Sequence, residues 1–212
     1  MPPPSSIASP MGAVSFDSSS TDRFYQIHAV DYAALTCAAD LSATYAHFLP
    51  RLPAGGRILD VGCGAGRDLK AFTAQGFNCT GIDASSALCA VASTYAAVPC
   101  HVSRIEDLDY RAAFEGIWAC ASLLHLPRGL LPLALLKLYQ ALLPQGLLYA
   151  SVQTGSGERV IADGRAYSYY EIPQFCDYLQ EAGFRVEETW ESGDTLKRAS
   201  IPTWLNVIAC AV

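Results

Sequence analysis

The chain lacks the features that mark several protein classes. Its eight cysteines are Cys37, Cys63, Cys79, Cys89, Cys100, Cys120, Cys176 and Cys210. None stands in a C-x-x-C pair or at a zinc-ligand spacing. Several sit inside apolar, strand-like runs, where a free thiol behaves as a small hydrophobe. Reduced thiols in a cytoplasmic setting are therefore expected. Charged residues are scarce, 16% against 51% apolar, and the net charge is −6. The 14 basic residues are scattered. A nucleic-acid binder usually shows a basic footprint, so no nucleic-acid partner is expected. No segment is long and apolar enough to span a membrane. The most apolar one, 129–143, carries Lys137 and Gln140 and reads as a buried helix. The opening MPPPSSIASPMG has neither a basic start nor an apolar centre, so it does not read as a signal peptide.

What is present fits one domain: 212 residues can bury one sizeable core. Residues 1–20, rich in Pro and Ser, are expected to be a disordered tail. Residues 21–212 read as one domain that opens with a helical segment over 21–50. There Leu35, Ala38, Leu41, Tyr45 and Phe48 recur at helical spacing until Pro50. Strands and helices then alternate. Strands are expected at 57–61, 77–82, 99–103, 115–120 and 147–153, and helices at 66–75, 85–95 and 127–143. A helix at 172–182 precedes two strands, 184–191 and 201–211, with no helix between them. The alternation predicts an α/β, three-layer architecture with a seven-stranded, mostly parallel sheet. The final pair places one antiparallel strand near the C-terminus.

In such sheets ligands bind beyond the carboxyl ends of the strands, where strand order reverses. The first strand-to-helix turn is 58-ILDVGCGAGRDL-69. A dinucleotide fingerprint would need Gly or Ala where Arg67 stands, and a phosphate loop is absent. Asp60 directly precedes Gly62, Gly64 and Gly66, and a carboxylate there repels pyrophosphate and attracts a cation. Asp83, at the end of the second strand, can accept two hydrogen bonds from ribose hydroxyls. The pattern asks for a nucleoside with a ribose, no phosphates and a positive group. S-adenosyl-L-methionine fits.

On these residues the chain resembles the class I S-adenosylmethionine-dependent methyltransferases, most closely their small single-domain bacterial members. ILDVGCGAGRD is similar to the family's first motif and GIDAS to its second. RIEDLDY (104–110) resembles the acidic third and FEGIWACASLLHLPR (114–128) the fourth. QALLPQGLLYAS (140–151) resembles the helix-turn-strand that follows. The resemblance implies a Rossmann-like methyltransferase fold, S-adenosyl-L-methionine as cofactor and S-adenosyl-L-homocysteine as product. It implies that Asp60 and the turn Gly62, Cys63, Gly64 and Gly66 hold the methionine part, with Arg67 at its carboxylate. Asp83 would take the ribose hydroxyls and Ala84 would line the adenine. Ile105 would lie beside the ring, with Glu106 or Asp107 at the adenine amino group. Cys120 and Ala121 would sit beside the sulfonium. The segment 21–50 would fold over the cofactor as a lid.

The implied reaction is in-line transfer of a methyl group to a small-molecule acceptor through O, N, S or a metalloid. The alternatives are an RNA or protein methyltransferase and a noncatalytic binding module. His125 is the candidate general base, or else a structural histidine. Tyr25 and Tyr32 either line the acceptor pocket or serve ordinary packing. Residues 154–170 form a second wall, with Arg159, Arg165, Tyr167 and Tyr169 as acceptor contacts, or a surface hairpin. Asp68 and Asp109 read as helix caps. No [DN]-P-P-[YFW] follows the fourth strand, which disfavours methylation of flipped DNA bases. No acid stands there for magnesium, so no catalytic metal is expected. A monomer or homodimer without a membrane partner is expected.

Overall fold

The computed structural model of the protein describes residues 16, 18–196 and 203–212. The expected tail lies outside them apart from residue 16 and Ser18–Ser20, which open a helix. In chain order the strands are β1 (Arg57–Val61), β2 (Asn78–Asp83), β3 (Cys100–Val102), β4 (Phe114–Cys120) and β5 (Leu142–Gln153). A hairpin of β6 (Glu158–Val160) and β7 (Ala166–Ser168) follows, then β8 (Phe184–Ser192) and β9 (Trp204–Ala211). The main sheet runs β3-β2-β1-β4-β5-β9-β8. Its pairs are parallel except those of β9, which is antiparallel to both β5 and β8. The expected reversed strand is therefore β9.

The helices are α1 (Ser18–Ile27), α2 (Ala29–Thr36), α3 (Ser42–Phe48), α4 (Arg67–Ala74), α5 (Ser86–Ala96), α6 (Leu131–Ala141) and α7 (Ile172–Glu181). Successive strand side chains face opposite ways, so β1 feeds two cores. Ile58 packs with Phe48 of α3, Leu69 and Phe72 of α4 and Ala92 of α5. Leu59 and Val61 pack with Leu135 of α6 and Phe175 of α7. The result is a sheet between two helical layers. Among the described residues no helix is long and apolar enough to cross a membrane.

The helical segment expected over 21–50 is made of three helices, α1 to α3. Asp40 Oδ1 accepts a hydrogen bond from Ser42 N at 2.8 Å, a side-chain turn that competes with helix, and Leu35 is 53% exposed rather than part of a core stripe. Nor do Asp68 and Asp109 cap helices. Gly66 holds the N-cap position of α4, and exposed Asp109 precedes no helix.

Asp68 is instead buried. Its carboxylate accepts from Arg67 Nε at 2.6 Å, Tyr45 Oη at 2.5 Å and Trp118 Nε1 at 2.8 Å. Burial pushes its carboxyl up, but Arg67 and these donors hold it below the usual range. One side chain thus ties α3, α4 and β4 together. Asp68→Ala would strand a buried guanidinium and two neutral donors. Urea denaturation should show a loss of about 3–5 kcal/mol, the usual cost of breaking a buried pair.

Candidate active site

Strand order reverses between β1 and β4, which opens a crevice at their carboxyl ends. The turn after β1 crosses it. Gly62 N and Cys63 N both donate to Ile82 O, at 2.8 and 2.9 Å. Gly64 N donates to Asp83 Oδ2 at 2.9 Å, and Ser85 N donates to Asp83 Oδ1 at 2.8 Å. Successive free amides are what a phosphate-binding turn offers. Here the protein itself occupies them, so the turn has no anion cradle. Gly62 and Gly64 adopt φ of 70° and 55°, a left-handed conformation that favours glycine. A Cβ on Gly62 would lie 2.5 Å from Ser122 Cβ. Gly66 acts differently: a Cβ there would meet Ala92 Cα at 2.9 Å. It allows α4 and α5 to approach and does not line the crevice. The Cys63 side chain packs away into the core, its Sγ 3.1 Å from Cys100 Sγ.

Asp60, the next-to-last residue of β1, is almost fully buried and lines neither cleft described below, and its Oδ2 has no hydrogen-bond partner among the described residues. Burial pushes its carboxyl well above the ordinary value, and nearby Asp68 adds to the effect. Glu106 Oε2 and Ser122 Oγ are likewise buried and unpartnered. A buried polar atom without a partner is costly; Glu106 and Ser122 line the first cleft, so their unmet atoms point to a polar ligand there. An acceptor carboxylate beside a turn without free amides favours a cationic group. An adenine amino group and an α-ammonium supply the missing donors, so the residues fit S-adenosylmethionine.

A first cleft of about 840 Å³ is lined by Gly62, Gly64, Asp83, Ala84, Ile105, Glu106, Cys120 and Ala121. Eight of the residues expected at the cofactor thus meet. Asp107 is exposed and lies outside it. Helix α1 adds Thr21, Asp22 and Tyr25. It is tied down by Ala166 N donating to Thr21 Oγ1 at 2.8 Å, by an Arg104–Asp22 ion pair, and by Gln26 Oε1 accepting from Ser85 Oγ at 3.0 Å.

A second cleft shares Tyr25, Tyr32, Cys120, Ala121 and His125 with the first. It also takes in Arg67, Arg165, Tyr167, Ser151, Gln153 and Trp204. Ala121 stands where the clefts join, with φ of 54° and its N–H donating to Ser151 Oγ at 2.9 Å. A non-glycine residue in that region is strained, as often occurs at functional sites. Two expected acceptor contacts are not brought there. Arg159 is exposed and lies over the Tyr169 ring, 5.4 Å from its centroid, and Tyr169 is turned into the core.

His125 is held from both sides. Its Nδ1 lies 2.9 Å from Ala166 O and its Nε2 2.9 Å from Tyr25 Oη. A carbonyl only accepts, so Nδ1 carries the proton and Tyr25 O–H donates to Nε2. Burial lowers the His125 pKa to about 4. Arg165 Nη1 lies 3.4 Å from Tyr25 Oη, and Arg165 Nη2 pairs with Asp163 Oδ2 at 2.7 Å.

Sequence reasoning missed Asp68, Ser122, Ser151 and Gln153. The last two left a trace: they are polar, on one face, at the end of an apolar strand.

Comparisons with known proteins give the family and the fold. The family described as "Methyltransferase domain" matches residues 33–189. The ubiquinone biosynthesis O-methyltransferase of Xylella fastidiosa (strain 9a5c) is 30% identical, over 76% of this chain and 76% of that protein. Its Xanthomonas axonopodis pv. citri counterpart is 27% identical, over 76% and 77%. Among solved structures, the Burkholderia thailandensis 1,6-didemethyltoxoflavin-N1-methyltransferase with bound 1,6-didemethyltoxoflavin and S-adenosylhomocysteine superposes with a TM-score of 0.74. It is 21% identical, and the match covers 97% of this chain and 93% of that one. The [4+2]-cyclase SpnF superposes at 0.71 with 18% identity, covering 90% and 94%. The fold alone therefore does not name a reaction.

His125 binds fewer protons folded than unfolded between its ordinary pKa of 6.5 and about 4. Its contribution to stability is complete above pH 6.5 and is lost as pH falls toward 4. Thermal unfolding across that range should drop more steeply for the wild type than for His125→Gln. Parallel curves would contradict the buried neutral imidazole.

Proposed function

The chain belongs to the methyltransferase-domain family as a class I S-adenosylmethionine-dependent methyltransferase, and from that premise we propose that it methylates a small-molecule acceptor held in the second cleft, with His125 acting as base through Tyr25. The observation that carries this reading is the join of the two clefts at Cys120 and Ala121, with the Tyr25–His125 pair beside it. Both the ubiquinone and the toxoflavin enzymes are named for small-molecule reactions, which supports an acceptor of that size.

When bound, the cofactor supplies a methyl group on a sulfonium. In this reading Asp83 accepts from the ribose hydroxyls while its carboxylate keeps its two backbone donors. Asp60 faces the ammonium, and Glu106 faces the adenine amino group with Ile105 and Ala84 along the ring. Arg67, steadied by Asp68 and 3.7 Å from Cys120 Sγ, faces the methionine carboxylate.

Tyr25 Oη keeps a lone pair when its proton points at His125. An acceptor hydroxyl or N–H can donate to that lone pair. As the acceptor loses its proton to Tyr25, the Tyr25 proton passes to His125 Nε2, and Arg165 stabilises the transient negative oxygen. Burial keeps the imidazole neutral at neutral pH but makes it a weak base, so it would hold the Tyr25 proton only during the transfer, and Nδ1–H holds its orientation through Ala166 O.

These roles carry three predictions. Asp83→Ala should weaken S-adenosylmethionine binding roughly 100-fold in calorimetric titration, the scale of two hydrogen bonds to a charged group. Asp60→Asn should also weaken it and flatten the gain in affinity that the wild type shows as rising pH ionises Asp60. Tyr25→Phe and His125→Gln should each lower kcat by about 10²–10⁴ while leaving cofactor affinity near wild type. Near-normal turnover in both would remove the relay.

A further inference from the structure

Gln153, near the floor of the second cleft, takes no part in the relay or in any cofactor role above. It is the last residue of β5 and is only 4% exposed, yet it lines the cleft. Among the described residues its side-chain amide makes no hydrogen bond, although its backbone oxygen accepts from Tyr170 N at 3.2 Å. The residue as a whole is largely buried, but its amide atoms are not among those buried without a partner, so the carboxamide meets the open space of the cleft that it lines and can bond a ligand there. Its polar neighbours on the same surface are satisfied. Ser151 Oγ accepts from Ala121 N at 2.9 Å, and Asn206 bonds Tyr149 Oη at 2.8 Å and Ser192 Oγ at 3.0 Å. Gln153 alone among these three leaves its amide to the cleft.

The charges around the cleft are already balanced. Arg67 is paired with Asp68 and Arg165 with Asp163, and Asp40 accepts from Ser42 N. Nothing in that arrangement demands an anionic acceptor. The walls include the rings of Tyr32, Tyr167 and Trp204, which favour a flat apolar body.

We propose that Gln153 selects the acceptor: a neutral, planar aromatic or heteroaromatic molecule whose inserted edge carries one hydrogen-bond donor beside one acceptor, as in a lactam. The Gln153 oxygen takes the donor of that edge and its amide N–H₂ serves the acceptor, a reciprocal pair like that between two carboxamides. This inference rests on the reading that the second cleft holds the acceptor. A ring of the same shape without that edge would displace water from the amide and leave it unpaired, and such sites reject such analogues strongly.

The test compares 2-quinolone, which carries adjacent N–H and C=O, with quinoline, which lacks that pair. Each is titrated into full-length protein saturated with S-adenosylhomocysteine. The wild type should bind 2-quinolone about tenfold more tightly, the scale of the hydrogen bonds at stake. Gln153→Leu should bring the two rings to equal affinity, and Gln153→Glu should weaken 2-quinolone by placing an acceptor where its carbonyl needs a donor. S-adenosylhomocysteine affinity should not change in either variant. Equal binding of both rings by the wild type, or a preference that survives Gln153→Leu, would overturn the role of Gln153 and leave the cleft assignment standing. Binding of neither ring would overturn both the proposed acceptor class and the cleft as a site for flat acceptors.

Discussion

The glycine turn is held by the strand beside it, and the rest of the site depends on that hold. Three consecutive amides, those of Gly62, Cys63 and Gly64, are taken by Ile82 O and the Asp83 carboxylate. This fixes the turn's shape before any ligand arrives. It also removes the amide cradle with which similar turns bind phosphate. The same Asp83 that braces the turn faces the first cleft, so turn geometry and ligand recognition share one carboxylate. Burial raises its pKa, opposed by the Ser85 and Gly64 amides, so those bonds also help to keep it ionised.

Around that turn the charges are arranged in depth. Asp68 is satisfied by Arg67, Tyr45 and Trp118 and acts as scaffold. Asp60 is unsatisfied at Oδ2 and faces a missing donor. Two buried carboxylates so close cannot both be cheaply ionised without a cation. Arg67 answers one, and in the proposed reading a cationic ligand would answer the other. The proposed transfer site lies where the two clefts join, at the strained Ala121, beside a histidine whose tautomer is set by a carbonyl.

Much of this was legible in the sequence. Alternating strands and helices gave the layers, and two successive final strands gave the reversed β9. Asp60 before glycines, and Asp83 one strand later, placed the crevice. Other features depend on tertiary partners that no local pattern encodes. Asp68 looked like a helix cap because acids favour first turns, but its donors come from residues far along the chain. Gly66 looked like a ligand contact because it shares the spacing of Gly62 and Gly64, yet Ala92 explains it. Arg159 and Arg165 are indistinguishable in a polar loop until the hairpin turns one outward and one toward Tyr25. Gln153 drew no attention because a glutamine at a strand end is ordinary until the fold shows that it lines a cleft.

The central claim is that this crevice selects a cationic nucleoside and rejects a pyrophosphate. Its most direct test is calorimetric titration of the purified protein with S-adenosylmethionine and, separately, with NAD. The account predicts micromolar binding of the first and none of the second. Comparable binding of NAD, or no binding of S-adenosylmethionine, would contradict it.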